Sequence, residues 1–331
     1  MPQSNSLIDD NLRVANAHSF RSNIGDEINQ LTLYVSIGKT TSWSEFENDV
    51  GFRPPIPEPT DEYRAEFWRK IVGMQKINEF DVRHVLPRRD WGDPTSPNPY
   101  SFEVGDIVCV NTIDNVNRHP QHPSGIQVYQ CVQTPTSGTC SIDPSNLETE
   151  NDCLALGGEW TPTPTTGVVN NIPRTREAAF DTLDGYKWDF LYQIPLDVEA
   201  SYVSDQWIVV PTQDEVDAER RRWGVTDEVT LGDNRLIYRT KAYYLQIVCR
   251  ISGNTFSEIG LTGRAFRQIA LISNPLLVVD STATPVQKST DEIVRAGNLI
   301  PDSGDILFME NRLPTNRDLD QIEEISIVIQ F

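Results

Sequence analysis

The chain closes on Ile325-Ser326-Ile327-Val328-Ile329-Gln330-Phe331, a run with a period of two. In an extended strand alternate side chains fall on opposite faces, so Ile325, Ile327, Ile329 and Phe331 share one face while Ser326 and Gln330 take the other. An apolar face of this kind needs a core, and this end of the chain is expected to be buried as the last strand of a sheet. Upstream of it, Ile306–Met309, Gln268–Ser273 and the long Tyr-, Ile-, Leu- and Val-rich run Leu236–Ile251 read as strands as well.

The front of the chain mixes both periods. Residues 6–24 suggest a short, weakly amphipathic helix, and Leu31–Ile37 alternates as a strand halted by Gly38. The proline-rich Arg53–Pro59 is a stiff extended connector. Thr60 then offers an N-cap, with Asp61 and Glu62 in the favourable first turn. Tyr63, Phe67, Ile71 and Met74 follow at helical spacing, with Arg64, Glu66 and Arg69 on the other face. From about Pro87 to Arg235 short β-like runs (Asp106–Val110, Gln127–Val132, Tyr186–Ile194) lie among Pro, Gly, Asn, Thr and Ser. A helix over Gln213–Trp223 carries acidic residues early and arginines late, which matches its macrodipole. The expected fold is α+β and β-rich, with mostly antiparallel sheets and a few flanking helices. Residues 1–87 and 236–331 form a framework, and residues 88–235 an inserted loop-rich β domain.

The 331 residues include 28 Lys plus Arg against 48 Asp plus Glu, a net charge of −20. Nucleic acid and anionic membrane surfaces both need local positive potential, so neither is an expected partner. No apolar run approaches a spanning helix, and the first residues lack the basic start and apolar stretch of a signal peptide. Five unevenly spaced cysteines are no disulfide framework. Cys109 and Cys249 sit in strand-like runs as small buried hydrophobes, and Cys140 and Cys153 flank a turn-rich loop. That last pair could bridge if oxidised, but in a reducing cytosol all five are expected to stay thiols. His119 and His122 lack the other ligands of a zinc site, so no metal, cofactor or small-molecule substrate is expected.

Gly-x-Gly-x-x-Gly, phosphate-loop, Gly-x-Ser-x-Gly and His-Glu-x-x-His motifs are all absent. The acidic constellation to weigh is Asp90-Trp91-Gly92-Asp93, just after Arg88-Arg89. Two carboxylates flanking a tryptophan could serve a glycosidase. Aspartates around a glycine before Pro94 equally make a turn, locked by Arg–Asp pairs, and that reading is preferred. Only six of the basic residues are Lys, and arginine with Trp and Tyr is the chemistry of protein interfaces.

Several segments carry a resemblance. Trp43-Ser44 through Glu47-Asn48-Asp49-Val50-Gly51-Phe52 with Pro54-Pro55 is one, and Leu86-Pro87-Arg88-Arg89-Asp90-Trp91-Gly92-Asp93 another. Others are Cys140-Ser141-Ile142, Cys153 to Pro162 with Trp160, Gly185-Tyr186-Lys187-Trp188 and Arg222-Trp223-Gly224. Phe266-Arg267-Gln268-Ile269, Asn274-Pro275-Leu276, Met309-Glu310-Asn311-Arg312 and Asp320-Gln321 complete the series. In this order they resemble the baseplate wedge subunit family, gene product eight, of T-even-type contractile-tailed bacteriophages.

The resemblance implies an elongated, multidomain, non-enzymatic structural subunit. It would be a homodimer, would join other wedge subunits, and would ride the baseplate through the rearrangement that triggers tail contraction. Its place would be the virion tail baseplate, after assembly in the bacterial host cytoplasm. Arg88, Arg89, Asp90, Trp91, Asp93, Trp160, Trp188, Arg267 and Arg312 become structural or interface candidates. The rival readings are a carbohydrate- or receptor-binding module stacking sugars on Trp91 and Trp160, and a cell-wall hydrolase built on Asp90 and Asp93.

Overall fold

A computed structural model of the chain describes residues 9–91, 102–111, 125–134, 138–141, 153–154, 156–158, 160–162, 173, 179–182, 185–195, 206–222, 235–253, 255–256, 265–278, 287–316 and 322–331. The described chain is mostly antiparallel sheet with a few helices, a β-rich α+β fold. It divides into two compact units, Met1–Arg83 with Tyr243–Phe331, and His84–Ala242.

The first unit opens with α1 (Asp10–Ser22), capped by the Asp9 carboxylate, which accepts from the Asn11 N–H at 3.0 Å. Its main sheet has five antiparallel strands: β1 (Leu33–Gly38), β2 (Ile71–Ile77), β12 (Ala265–Ser273), β15 (Ile293–Arg295) and β16 (Asp305–Asn316), in the order β15-β2-β1-β12-β16. A second antiparallel pair joins β11 (Tyr244–Ser252) to β17 (Ile322–Gln330). Leu33, Val35, Ile37, Ile269 and Leu271 face one core together with Leu245, Ile247, Ile251, Ile325 and Ile327 from that pair. Tyr34, Met74, Ala270 and Ile272 face the opposite way, under Phe67 and Trp68 of helix α2 (Asp61–Lys70). β1 is therefore buried on both faces. Ser36, its polar inward residue, donates its hydroxyl to the Ala270 carbonyl at 3.3 Å.

Three sequence expectations shift here. Helix α2 starts as predicted, with the Thr60 hydroxyl accepting from the Tyr63 N–H at 3.2 Å, but it stops at Lys70. Ile71 and Met74 lie in β2, because Ile71 and Met74 pair with Gly38 and Ser36 of β1 and Gly73 admits the Phe256 ring where a Cβ would come within 2.2 Å. The run Leu236–Ile251 is not one strand. Arg235–Arg239 forms a short helix, α4, and the Thr240 hydroxyl donates to the Leu236 carbonyl at 2.8 Å. Lys241 then turns the chain at φ 53° before β11 begins. At the C-terminus Ile325 and Ile327 are buried, Ile329 and Phe331 pack against the same core, and Ser326 and Gln330 are exposed.

The second unit holds a four-stranded antiparallel sheet of β4 (Ile107–Asn111), β5 (Gly125–Gln133), β8 (Phe180–Asp181) and β9 (Lys187–Pro195), in the order β4-β5-β9-β8. β3 (Val82–Pro87) pairs antiparallel with β10 (Trp207–Val209), and β6 (Gly138–Cys140) with β7 (Trp160–Pro162). Helix α3 runs Gln213–Arg222; Trp223, expected to end it, lies outside the described residues. The sheet buries Val108, Val110, Tyr129, Cys131 and Trp188 in one cluster.

Candidate functional site

Two constellations bring resemblance segments together, one in each unit. In the first unit, residues 39–60 cross without helix or strand from β1 to α2 and are held by buried polar contacts. Arg267 on β12 forks onto Glu47, with Nε 2.7 Å from Oε2 and Nη2 2.6 Å from Oε1. The two side chains are only 10% and 4% exposed. The third guanidinium nitrogen, Nη1, donates to the Thr40 carbonyl at 2.7 Å. The same carboxylate accepts the Trp43 N–H at 2.8 Å, and the Trp43 indole donates to the Arg312 carbonyl at 3.0 Å. Asn311 on β16 donates to the Pro55 carbonyl at 2.7 Å and accepts from Gln268 at 2.9 Å. The Arg267 hydrogen bonds hold the Glu47 carboxyl below the usual carboxylate range, against the opposing push of burial. Arg312 reaches Glu310 at 3.3 Å, while its Nε is buried without a hydrogen bond among the described residues.

In the second unit, Arg88 Nε donates to Asp90 at 2.8 Å, and Arg89 Nη1 donates to Asp106 at 2.7 Å. The Arg89 guanidinium also lies 4.6 Å from the Phe102 ring centroid. The turn is thus only partly the one read from sequence. Arg89 reaches past Asp90 to Asp106, because the backbone of Arg89 and Trp91 bonds Cys109 at the middle of β4. Gly92, Asp93 and Pro94 lie outside the described residues. Trp91 stacks on Phe102 with centroids 5.0 Å apart and meets Trp188 edge-on at 5.4 Å. Trp188 is fully buried, and its indole N–H has no hydrogen-bond partner among the described residues. The Trp160 side chain lies outside the described residues. One face of Trp91 that could stack a sugar is taken by Phe102 instead. Asp90 is half-exposed, so its ion pair is worth only about 0–1 kcal/mol.

The chemistry available elsewhere is limited. Burial pushes the Cys109 and Cys249 thiols up to about 12, which leaves them protonated and inert. His84 is buried, with Nδ1 2.8 Å from the Ala242 carbonyl. Among the described residues no cluster of His, Cys, Asp and Glu could hold a metal, and no helix is long and apolar enough to cross a membrane. The expectation of five free thiols fails: Cys109, Cys131 and Cys249 are free, whereas Cys153 is disulfide-bonded. An intrachain disulfide takes two of the five cysteines. Protein purified in air and unfolded without reductant should therefore titrate three thiols, rising to five after reduction. A titre of five before reduction would remove the bond.

Sequence reasoning singled out Arg267 and Trp188 within their segments but missed Glu47, Asp106 and Phe102 as their partners. Trp43–Phe52 holds three carboxylates, Glu45, Glu47 and Asp49, and no local signal marks Glu47 as the one buried against a cation.

Comparison with known proteins agrees with these segments. The family described as "Bacteriophage T4, Gp8" matches residues 6–331. The chain is 33% identical over 329 residues to the baseplate wedge protein gp8 of Enterobacteria phage T4, covering 98% of this chain and 97% of that protein. The chain belongs to the phage Gp8 family.

Proposed function

We propose that this member of the phage Gp8 family is a structural wedge subunit of a contractile-tail baseplate. It acts through protein–protein contacts and not through catalysis. The observation that carries the reading is the family match along nearly the whole chain. The geometry supports it, because segments that read as chemical motifs serve to hold loops onto sheets. Trp43 and Glu47 meet Arg267 and Arg312 in one place, and Trp91 meets Trp188 in another. The functional unit is a homodimer that joins other wedge subunits in the host cytoplasm and enters the virion tail. There it takes part in the rearrangement that precedes contraction. Residues 88–235 act in it as an inserted domain, with Arg88, Arg89, Asp90, Trp91, Asp93, Trp160 and Trp188 in structural or interface roles. Arg267 and Arg312 play the same part in the framework.

The test is a phage in which this chain carries an early stop codon, grown with and without the chain supplied in trans. Electron micrographs should show filled heads without contractile tails, and tails restored by complementation. Normal, contractile tails without the chain would end the proposal. Light scattering on the purified chain should give twice 37.4 kDa, and a monomer mass would remove the dimer.

A further inference from the structure

Beside the clamp in the first unit lies a cavity of about 510 Å³ whose wall is basic in a chain of net charge −20. Lys39, Arg69, Lys70 and Arg295 line it, over an apolar floor that includes Phe256, with the Thr40 side of the clamped loop at its rim. Lys39 is buried, with its Nζ 4.5 Å from the Trp43 ring centroid. Among the described residues no ion pair joins Lys39 or Arg69 to a carboxylate; Arg69 donates Nε to the Ala65 carbonyl at 3.3 Å. The carboxylates of Glu66 and Glu47, on which the Lys39 charge acts, are engaged elsewhere, Glu66 by Lys70 and Glu47 by Arg267. Burial and the adjacent Lys70 lower the Lys39 ammonium's proton affinity, as expected of a cation with little negative charge beside it.

We infer that this cavity receives the carboxylate side chains of an acidic segment from a neighbouring protein subunit. The fit is chemical. Lys39 and Arg69, two separated cations, suit separate singly charged carboxylates, and an apolar floor suits their methylene stems. A phosphate dianion is less well matched. Arg69 and Lys70 occupy the last turn of α2, whose carbonyl end presents partial negative charge and no free N–H cradle. A second copy of the same site cannot fill it, since it would oppose cation to cation. That the acidic segment comes from a wedge subunit rests on the function proposed above; the acidic ligand rests on the cavity alone.

The experiment uses the full chain and a fluorescent, end-blocked hexapeptide of alternating Asp and Glu, followed by anisotropy. Inorganic phosphate and a hexalysine peptide at matched ionic strength are the other arms. The acidic peptide should bind saturably and more weakly as salt rises, and hexalysine and phosphate should not displace it. Arg69→Gln, at an exposed position, and Lys39→Met should each weaken binding by about tenfold, the worth of a charged hydrogen bond. Circular dichroism checks that each variant is folded, and Arg69→Gln decides the matter if Lys39→Met is not. No saturable binding, equal displacement by phosphate, or affinity unchanged in folded Arg69→Gln would each overturn the inference. Tails assembling through this chain while the peptide fails to bind would sink only the cavity. Normal tails in the stop-codon phage would sink only the wedge reading.

Discussion

Replacing Arg267 with methionine lowers the free energy of unfolding by about 3–5 kcal/mol, because it strands the Glu47 carboxylate inside the protein. Both side chains are almost wholly buried, and the fork they make is the hub on which Thr40 and Trp43 also converge. A conservative Arg267→Lys change loses most of the same energy, since one ammonium cannot reach Glu47 on two oxygens and Thr40 at once. The double variant Glu47→Gln with Arg267→Met should recover part of the loss, because the uncompensated charge is gone. The pH dependence follows from the direction in which Glu47 is shifted. Its folded carboxyl titrates below the unfolded one, so the contribution is fully present above the ordinary Glu range, about 4.3. It fades as the pH falls through the lower folded value. The gap between wild type and Arg267→Met should thus be widest near neutrality and narrow in acid. Urea titrations at several pH values measure it. A gap below 1 kcal/mol at neutral pH would show that the clamp does not hold the loop.

How much of this was legible in the sequence depends on the range of each interaction. β17 could be read because its pattern is local: alternate residues share a face whatever they face. Helix α2 could be read from Thr60 and its first-turn acids, but not its end. Ile71 and Met74 continue the helical spacing, and what overrides it is β2 pairing with β1 on one side and β15 on the other. The same limit hid α4, where Leu236, Ile237 and Tyr238 have the composition of a strand and only the Thr240 hydroxyl and the turn at Lys241 break it. The candidate sites were legible as residues and not as pairs. Arg267 and Glu47 are 220 positions apart, so no spacing rule connects them. Arg89 stood beside Asp90 in sequence yet pairs with Asp106, because β4 returns alongside the turn. Oppositely charged neighbours in sequence name a possible partner, and the sheet that returns beside them chooses the real one.

Removing Ile327 to Phe331 should leave no folded first unit. The deletion takes four paired positions of β17 from β11: Ile247 opposite Ile327, Gln246 opposite Val328, Leu245 opposite Ile329 and Tyr244 opposite Gln330. It uncovers Leu245 and Ile247, both fully buried in the intact chain. It also removes the Phe331 ring, 5.3 Å from Phe20 of α1, together with the Phe331 N–H bond to the Tyr243 carbonyl at 3.1 Å. Burial of large apolar side chains is worth roughly 1.5–3 kcal/mol each. The loss of Ile327, Ile329 and Phe331 therefore consumes most of the ~5–15 kcal/mol by which a domain is stable. The other end of the chain is the control. A variant beginning at Leu7 keeps the Asp9 cap of α1 and every contact of Val14 and Ala17 with the core. Expressed side by side, the chain ending at Ser326 should be insoluble or lack a cooperative melt, and the chain beginning at Leu7 should melt like wild type. If the C-terminal truncation stays soluble with an unchanged melting temperature, β17 is not closing the core and the two-sheet packing of this unit is wrong.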